Sequence, residues 1–318
     1  MKTYNNNVNL ITISSPNIIG RRIDNFLLSY LKGISRNKVY SILRKGEIRV
    51  NKKRVKCMYR LNFGDIIRIP PIRNVMFERN NVCISETIIR KLFNSVLYED
   101  DHLIILNKPS GIAVHAGSKL SYGIIEGLRT VRPELDYLSL VHRLDKETSG
   151  VLLLAKNYFS LIQLHEQLRL NVIKKEYLAL VFGKCKFNFK VVTVPLSRHS
   201  SSTCLNNVKV NSIVGKYSKT YFIVQERFIA ETLLRVNPIT GRTHQIRVHA
   251  QYIGNPIAYD KRYGDAIYNQ KIKISSGLNR LFLHASKLRF IHPINGKTFC
   301  IEAPMDKILS NCLLFLRK

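Results

Sequence analysis

The sequence predicts an α+β protein: a small α/β module followed by a larger domain on a mixed, mostly antiparallel sheet. Three observations carry this expectation. A chain of 318 residues with 45% hydrophobic content can bury a large core and tends to divide in two. Short basic helices and alternating strands occupy the first seventy or so residues, whereas strand-like runs and longer helices begin at Val96. No repeat at solenoid periods interrupts this pattern.

In chain order, an N-terminal arm (1–19) leads into a front module (20–75). There Arg22 to Leu31 sets Ile23, Phe26, Leu27 and Tyr30 or Leu31 on one helical face. Ser35 is an N-cap, Val39, Ile42 and Leu43 form an apolar stripe, and Gly46 ends the second helix, whose other face carries Arg36, Lys38, Arg44 and Lys45. Glu47 to Asn51 and Asp65 to Pro70 alternate as short strands, with Lys52, Lys53 and Arg54 between them. Periodicity then fades, and residues 76–95 read as a linker that tethers the module loosely to the body at 96–318. In the body, strands are expected at Leu103–Pro109, Val151–Ala155, Tyr177–Val181, Lys219–Val224, Thr232–Val236, Leu281–Leu288 and Thr298–Ile301. Helices are expected at Tyr122–Thr130, Leu161–Leu170 and Lys307–Leu316.

Composition bounds the partner. Lys and Arg number 51 against 21 Asp and Glu, giving a formal charge of +30 and a sequence pI near 10.1. Such an excess points to a polyanion. No segment approaches the roughly 20 apolar residues of a membrane span, and the N-terminus lacks an apolar signal core. Six scattered cysteines without a Cys-x-x-Cys pair indicate neither a disulfide framework nor a zinc site, so a reducing cytoplasm is expected and no metal.

The chemistry concentrates in His142-Arg143-Leu144-Asp145-Lys146-Glu147-Thr148-Ser149-Gly150. Asp145 lies between an arginine and a lysine just before Val151 to Ala155, a run that reads as a buried strand, so its carboxylate is expected at the lip of a core element. An isolated Arg-Leu-Asp is more often a salt-bridged turn. A second stretch, Thr240-Gly241-Arg242-Thr243-His244-Gln245-Ile246-Arg247-Val248-His249-Ala250, offers Gly241 as a turn, Thr243 as an N-cap, and a helix face with His244, Arg247 and Gln251. A partly buried aspartate needs a cation, and Arg247 is the expected partner.

Together these stretches resemble the signature of the RluA-type pseudouridine synthases. Lys175-Glu176-Tyr177 resembles that family's Lys-x-Tyr motif, and Glu99 to His102 through Asn107-Lys108-Pro109-Ser110-Gly111 resembles its opening strand and turn. The front module, over about residues 20–70, resembles an S4 RNA-binding domain, in which Arg36, Lys38, Arg44, Lys45, Lys52, Lys53 and Arg54 would meet phosphates. The resemblance implies an isomerase that converts uridines of large-subunit ribosomal RNA to pseudouridine without cofactor or metal. Asp145 would be the nucleophile that breaks the bond between uracil N1 and ribose C1′, the base rejoining through C5. Arg143 would fill the space left by the flipped base, and Tyr177 would cover the uracil, its hydroxyl standing where a late base is needed. Arg247 would pair with Asp145, and His142 would orient the loop. RNA rather than DNA, no membrane and a monomer complete the expectation.

Three other readings stay open: a non-catalytic RNA clamp in ribosome assembly, an RNA hydrolase or transferase with the same basic cleft, and a metal-dependent nuclease built on Glu99-Asp100-Asp101. The last lacks a second carboxylate cluster at suitable spacing.

Overall fold

Two short helices pack on a three-stranded sheet in the first of two units, Met1–Cys83; the second is Ile84–Lys318. This computed structural model describes residues 8–31, 34–71, 86–115, 122–135, 137–199 and 207–318. The first unit contains β1 (Asn9–Thr12), α1 (Ile23–Tyr30), α2 (Arg36–Lys45), β2 (Arg49–Val50) and β3 (Ile66–Ile69), with sheet order β1-β3-β2, all antiparallel.

Ser35 caps α2 by accepting from the Lys38 amide, and Gly46 ends it in the left-handed region at φ +72°, as the sequence predicts. The apolar faces meet in one cluster that includes Ile23, Phe26, Leu27, Val39, Ile42 and Leu43. Beneath them Asp24, fully buried, accepts from the Arg22 guanidinium at 2.6 Å and from the Tyr40 hydroxyl at 3.2 Å, which ties α1 to α2. Asn51 and Lys52 both take positive φ (48° and 64°) in a two-residue turn closed by a Val50–Lys53 bridge, which presents Lys52 and Lys53 to solvent. The Asn51 side chain stabilises this turn, donating to Asp65 at 2.8 Å and accepting from the Ile66 amide at 2.9 Å.

The expected N-terminal arm is corrected here. Residues 9–12 form β1, paired with β3, and Ile13 is fully buried.

The second unit runs α3 (Glu86–Phe93), β4 (Val96–Glu99), β5 (Leu103–Lys108), α4 (Ile124–Val131), β6 (Ser139–Leu140), β7 (Ser149–Ala155), α5 (Tyr158–Arg169), β8 (Lys174–Phe182) and β9 (Phe189–Thr193). It continues through β10 (Leu196–His199), β11 (Asn207–Val210), β12 (Lys219–Arg227), β13 (Glu231–Pro238), α6 (Gln245–Tyr252), α7 (Ala266–Ser276), β14 (Leu283–Ile291), β15 (Thr298–Glu302) and α8 (Lys307–Leu316). Helix α3 lies within residues expected as linker, and its Leu92 is buried in the same core as Ile124 and Leu128 of α4. Apolar spacing through Ile88, Ile89, Leu92 and Phe93 is helical, but the preceding Asn-rich charged run masks it; residues 72–85 lie outside the described residues.

The main sheet has the order β4-β5-β7-β14-β8-β13-β12-β9, with β6 on β7 and β15 on β14. Its pairs are antiparallel except β7 with β14, where Ser149 faces His284 and Gly150 faces Ala285. That junction needs glycine: Gly150 has φ +109°, and a Cβ there would lie 2.1 Å from the Ala285 carbonyl oxygen. Both faces of β5 and β7 are covered. Ile104, Leu106, Leu152 and Leu154 pack with α4 and α6 on one side, and Leu103, Ile105, Val151 and Leu153 with α5 on the other. This double burial explains why both strands read as unbroken apolar runs. A third cluster seats α7 and α8 against Leu180 and Phe282. Helix α7 was not expected from the sequence; Asp265 caps it by accepting from the Tyr268 amide, and Gly277 ends it.

Candidate active site

The loop from Val141 to Thr148 joins β6 to β7 immediately before the parallel junction, and each half is anchored separately. In the first half, the Val141 amide donates to the Leu153 carbonyl at 3.1 Å, and His142 Nε2 accepts from the Leu153 amide at 3.1 Å. Leu144 is buried in the core. In the second half, the Lys146 carbonyl accepts from the Gly111 amide at 2.9 Å and from Lys108 Nζ at 3.0 Å, while Ser110 donates to the Glu147 carbonyl at 2.7 Å. The Lys-Pro-Ser-Gly turn is therefore a brace for the loop, and Asp145 stands between its two anchored halves.

Lys108 is the least obvious part of that brace. Its side chain is fully buried, and its ammonium donates to the carbonyls of Pro109, Ile112 and Lys146 at 2.8, 2.8 and 3.0 Å. Burial lowers its pKa to about 7, against the attraction of Glu147 and Asp145. His142, read from the sequence as orienting the loop, accepts from the Leu153 amide. Burial and then the charge of Lys175 lower it to about 3, which keeps it neutral and able to accept at Nε2.

Arg247, on α6, brings NH1 to 3.7 Å from Asp145 Oδ2. Its tighter partner is Asp260, which accepts from Nε and NH2 at 2.7 Å each. Burial would push the Asp260 carboxyl up, but the guanidinium and the Arg262 and Tyr263 amides hold it below its usual range. Arg247 is thus fixed by one carboxylate and offered to the other. Nothing in the sequence marks Asp260, which lies in a charged turn thirteen residues on and resembles a solvated loop.

The start of α6 also differs from expectation. His244, not Thr243, is the residue before the first helical turn, with φ 53° and no side-chain cap. The Gln245 side chain instead braces the preceding turn: its oxygen accepts from the Arg242 amide at 3.0 Å and the Thr240 hydroxyl at 2.7 Å. The left-handed turn at His244 directs Nε2 to 3.9 Å from Asp145 Oδ2, with Nδ1 2.8 Å from the Tyr263 hydroxyl. Burial, opposed by Asp145, lowers His244 to about 4, so the ring beside the carboxylate is neutral near pH 7.

Tyr177, on β8, is both core and cleft wall: it belongs to the main cluster and lines a cleft of about 630 Å³ with His142, Arg143, Asp145 and Lys175. Burial and then the charge of Asp145 push its phenol above its ordinary range, so the hydroxyl stays protonated near neutral pH. Arg143 is exposed and also lines a second cleft of about 690 Å³ with Asp145, Lys146, Arg262 and Arg280. Asp145 therefore lines both basic clefts.

In the first unit, Arg36, Lys38, Arg44, Lys45, Lys52, Lys53 and Arg54 are all exposed, and Lys45 makes only a 3.9 Å pair with Glu47. The Glu99-Asp100-Asp101 run is largely structural. Glu99 pairs with Arg132 and Lys156 at 2.9 Å each, and Asp100 accepts from the His102 and Leu103 amides at 2.7 Å. Among the described residues no group of three or more His, Cys, Asp or Glu side chains is placed to hold a metal, and no helix is long and apolar enough to cross a membrane.

With this geometry in view, comparison with known proteins is direct. The RNA pseudouridylate synthase family matches residues 102–252, and the S4 domain matches residues 21–67. The ribosomal large subunit pseudouridine synthase C of Yersinia pestis is 52% identical over 100% of this chain and 98% of its own length. That of Escherichia coli K12 is 51% identical over 100% and 99%. Among solved structures, human RNA pseudouridylate synthase domain containing 4 superposes with a TM-score of 0.60 at 25% identity, covering 73% of this chain and 96% of its own. The chain belongs to the RNA pseudouridylate synthase family and carries an S4 domain at its front.

Proposed function

We propose that this protein isomerises uridines of large-subunit ribosomal RNA to pseudouridine, with Asp145 as the nucleophile. The observation that carries the reading is the setting of Asp145: a carboxylate anchored on both sides, 3.7 Å from a guanidinium that is itself locked to Asp260, and open to two basic clefts. The names of the full-length relatives support the substrate class.

A uridine in folded RNA leaves its stack at a cost of a few kcal/mol. The exposed Arg143 guanidinium takes the vacated place, and the uracil enters the cleft against the ring of Tyr177. Asp145 then acts on the nucleoside as the C1′–N1 bond breaks, and the base turns and rejoins through C5 with loss of the C5 proton. Arg247 holds the carboxylate in orientation, and neutral His244 stands 3.9 Å from the same oxygen, Oδ2, without neutralising it. The ring of Tyr177 is the surface that covers the uracil, and its hydroxyl stands where a base for the late C5 proton is needed. The exposed cations of the S4 unit add affinity through phosphates. The protein works as a cytoplasmic monomer on RNA, not on DNA or a membrane surface.

The test is to incubate the protein with large-subunit rRNA lacking pseudouridine and to map products by carbodiimide-dependent reverse-transcription stops. New stops at discrete uridines are expected. Tight binding without stops, on free rRNA and on precursor particles alike, would favour the assembly clamp.

A further inference from the structure

Around Asp145 most cations are already committed. Arg247 is locked to Asp260, Lys108 to three carbonyls, and Arg169 to Glu166 at 2.7 Å. Lys175 is different. Its ammonium makes no hydrogen bond or ion pair among the described residues, although the residue is only partly exposed and burial lowers its pKa. It lies on β8 two residues before Tyr177 and so shares that ring's side of the strand, and it lines the same cleft as Asp145. It reaches across that cleft toward Gly241, where a Cβ would be 3.8 Å from Nζ. A partly desolvated charge without an acceptor is unfavourable until a ligand supplies one.

The cleft also indicates which ligand atom that is. Phosphates can be met by the exposed Arg143 and Arg242, whereas Lys175 is partly buried and lines the cleft with Tyr177, against which the proposed function seats the base. When the C1′–N1 bond breaks, its electron pair leaves with the uracil and is shared among N1, O2 and O4. C1′ is satisfied by the Asp145 carboxylate or by loss of the C2′ proton. If Asp145 instead adds to C6, the pair displaced from the C5–C6 bond is drawn onto O4. In every route the uracil turns anionic in that cleft.

Resting on the function proposed above, we propose that Lys175 is a further catalytic residue that donates to a uracil carbonyl oxygen and stabilises the anionic base during its turn. It then acts where charge develops, as a preorganised donor does in an oxyanion site. Gly241 leaves the space opposite the ammonium open for the substrate oxygen.

The experiment compares Lys175→Met and Lys175→Arg with the wild-type protein on the same rRNA, reading the single-turnover rate at saturating enzyme, the salt dependence of binding, and Tm. Lys175→Met is expected to slow the rate about 100-fold while leaving affinity and salt slope unchanged. Its Tm should be equal or higher, because it replaces an unpaired charge with an apolar chain of similar size. Lys175→Arg, which restores a donor, should recover at least about tenfold of the loss. A Lys175→Met rate within about threefold of wild type would overturn the proposal, as would a loss confined to binding with the salt slope reduced by about 0.7 to 0.9, the mark of a phosphate contact. A slow Lys175→Met that Lys175→Arg does not rescue would also overturn it. Wild-type turnover in the same assay tests the underlying function separately, so failure of one is distinguishable from failure of the other.

Discussion

The two units use positive charge in opposite ways. In the first, Lys52 and Lys53 sit on a turn tip in water, and Arg36, Lys38, Arg44 and Lys45 lie on exposed helix positions with few partners. In the second, two cations that hold Asp145 and its loop are buried and bonded: Arg247 to a carboxylate, Lys108 to three carbonyls. Exposed cations release counterions and give salt-dependent affinity with little orientation. Buried, bonded cations add little affinity but hold a carboxylate in place. Histidine follows the same division: all nine lie in the second unit. Affinity and chemistry are therefore separable in this chain, and four variants or conditions test that separation.

The largest effect is expected from Asp145→Asn, nearly isosteric but not nucleophilic. Release of tritium from 5-tritiated uridine should fall by about 10⁴-fold or more, with RNA affinity and salt slope preserved. Undiminished turnover would end the nucleophile assignment.

Next comes Asp260→Ala, which removes the two 2.7 Å bonds of the buried Arg247 guanidinium and leaves it only the 3.7 Å approach to Asp145. Breaking a buried pair costs about 3–5 kcal/mol, so chemical denaturation of the second unit should shift by that order, and turnover should fall because Asp145 loses an oriented neighbour. A variant as stable and active as wild type would show that Arg247 needs no fixing.

Acid should separate the units by smaller amounts. His142, His244 and His249 have folded pKa values of about 3, 4 and 4, below the value near 6.5 expected unfolded. Between about pH 6.5 and 4 the unfolded chain binds more protons, so stability present above pH 6.5 is lost as pH falls through that window. His249 is fully buried between the Ser218 and Thr220 hydroxyls, each 2.9 Å away, and should contribute a loss of about 1–3 kcal/mol. Denaturant titrations at pH 7 and pH 5 should show the second unit weakened through these groups, and His249→Gln should flatten the dependence. Equal slopes for wild type and variant would contradict the assignment.

The smallest effect belongs to Lys52→Gln with Lys53→Gln. Both side chains point to water, so folding should be unaffected. The salt slope should fall by about 1.4–1.8, at about 0.7–0.9 per lost phosphate contact, and the single-turnover rate at saturating enzyme should stay unchanged. An unaltered slope would move RNA contact elsewhere in the unit.

Legibility in the sequence follows the same division. The S4 unit was readable from local signals: the Ser35 cap, the Gly46 stop and the alternation before Pro70 each act within a few residues. The loop around Asp145 was readable because nine adjacent residues carry it, and Val151 to Ala155 because burial on both faces demands an unbroken apolar run. The shell around Asp145 was not. Asp260, Tyr263 and Lys108 come from other elements and look, in sequence, like solvated turn residues or a strand end. Only folding shows that Asp260 is fully buried under α6 and that Lys108 finds three carbonyls. An Asn-rich flank concealed α3 in the same way, since its packing partners lie in another helix.

The most direct test of this separation takes one rRNA substrate and two proteins, Asp145→Asn and Lys52→Gln with Lys53→Gln, and measures binding across a salt series together with the single-turnover rate at saturating enzyme. A crossed result is predicted: the first variant keeps the wild-type salt slope and loses turnover, and the second keeps turnover and loses slope. If both variants lost binding and rate in proportion, affinity and chemistry would not be separable, and the account would be contradicted.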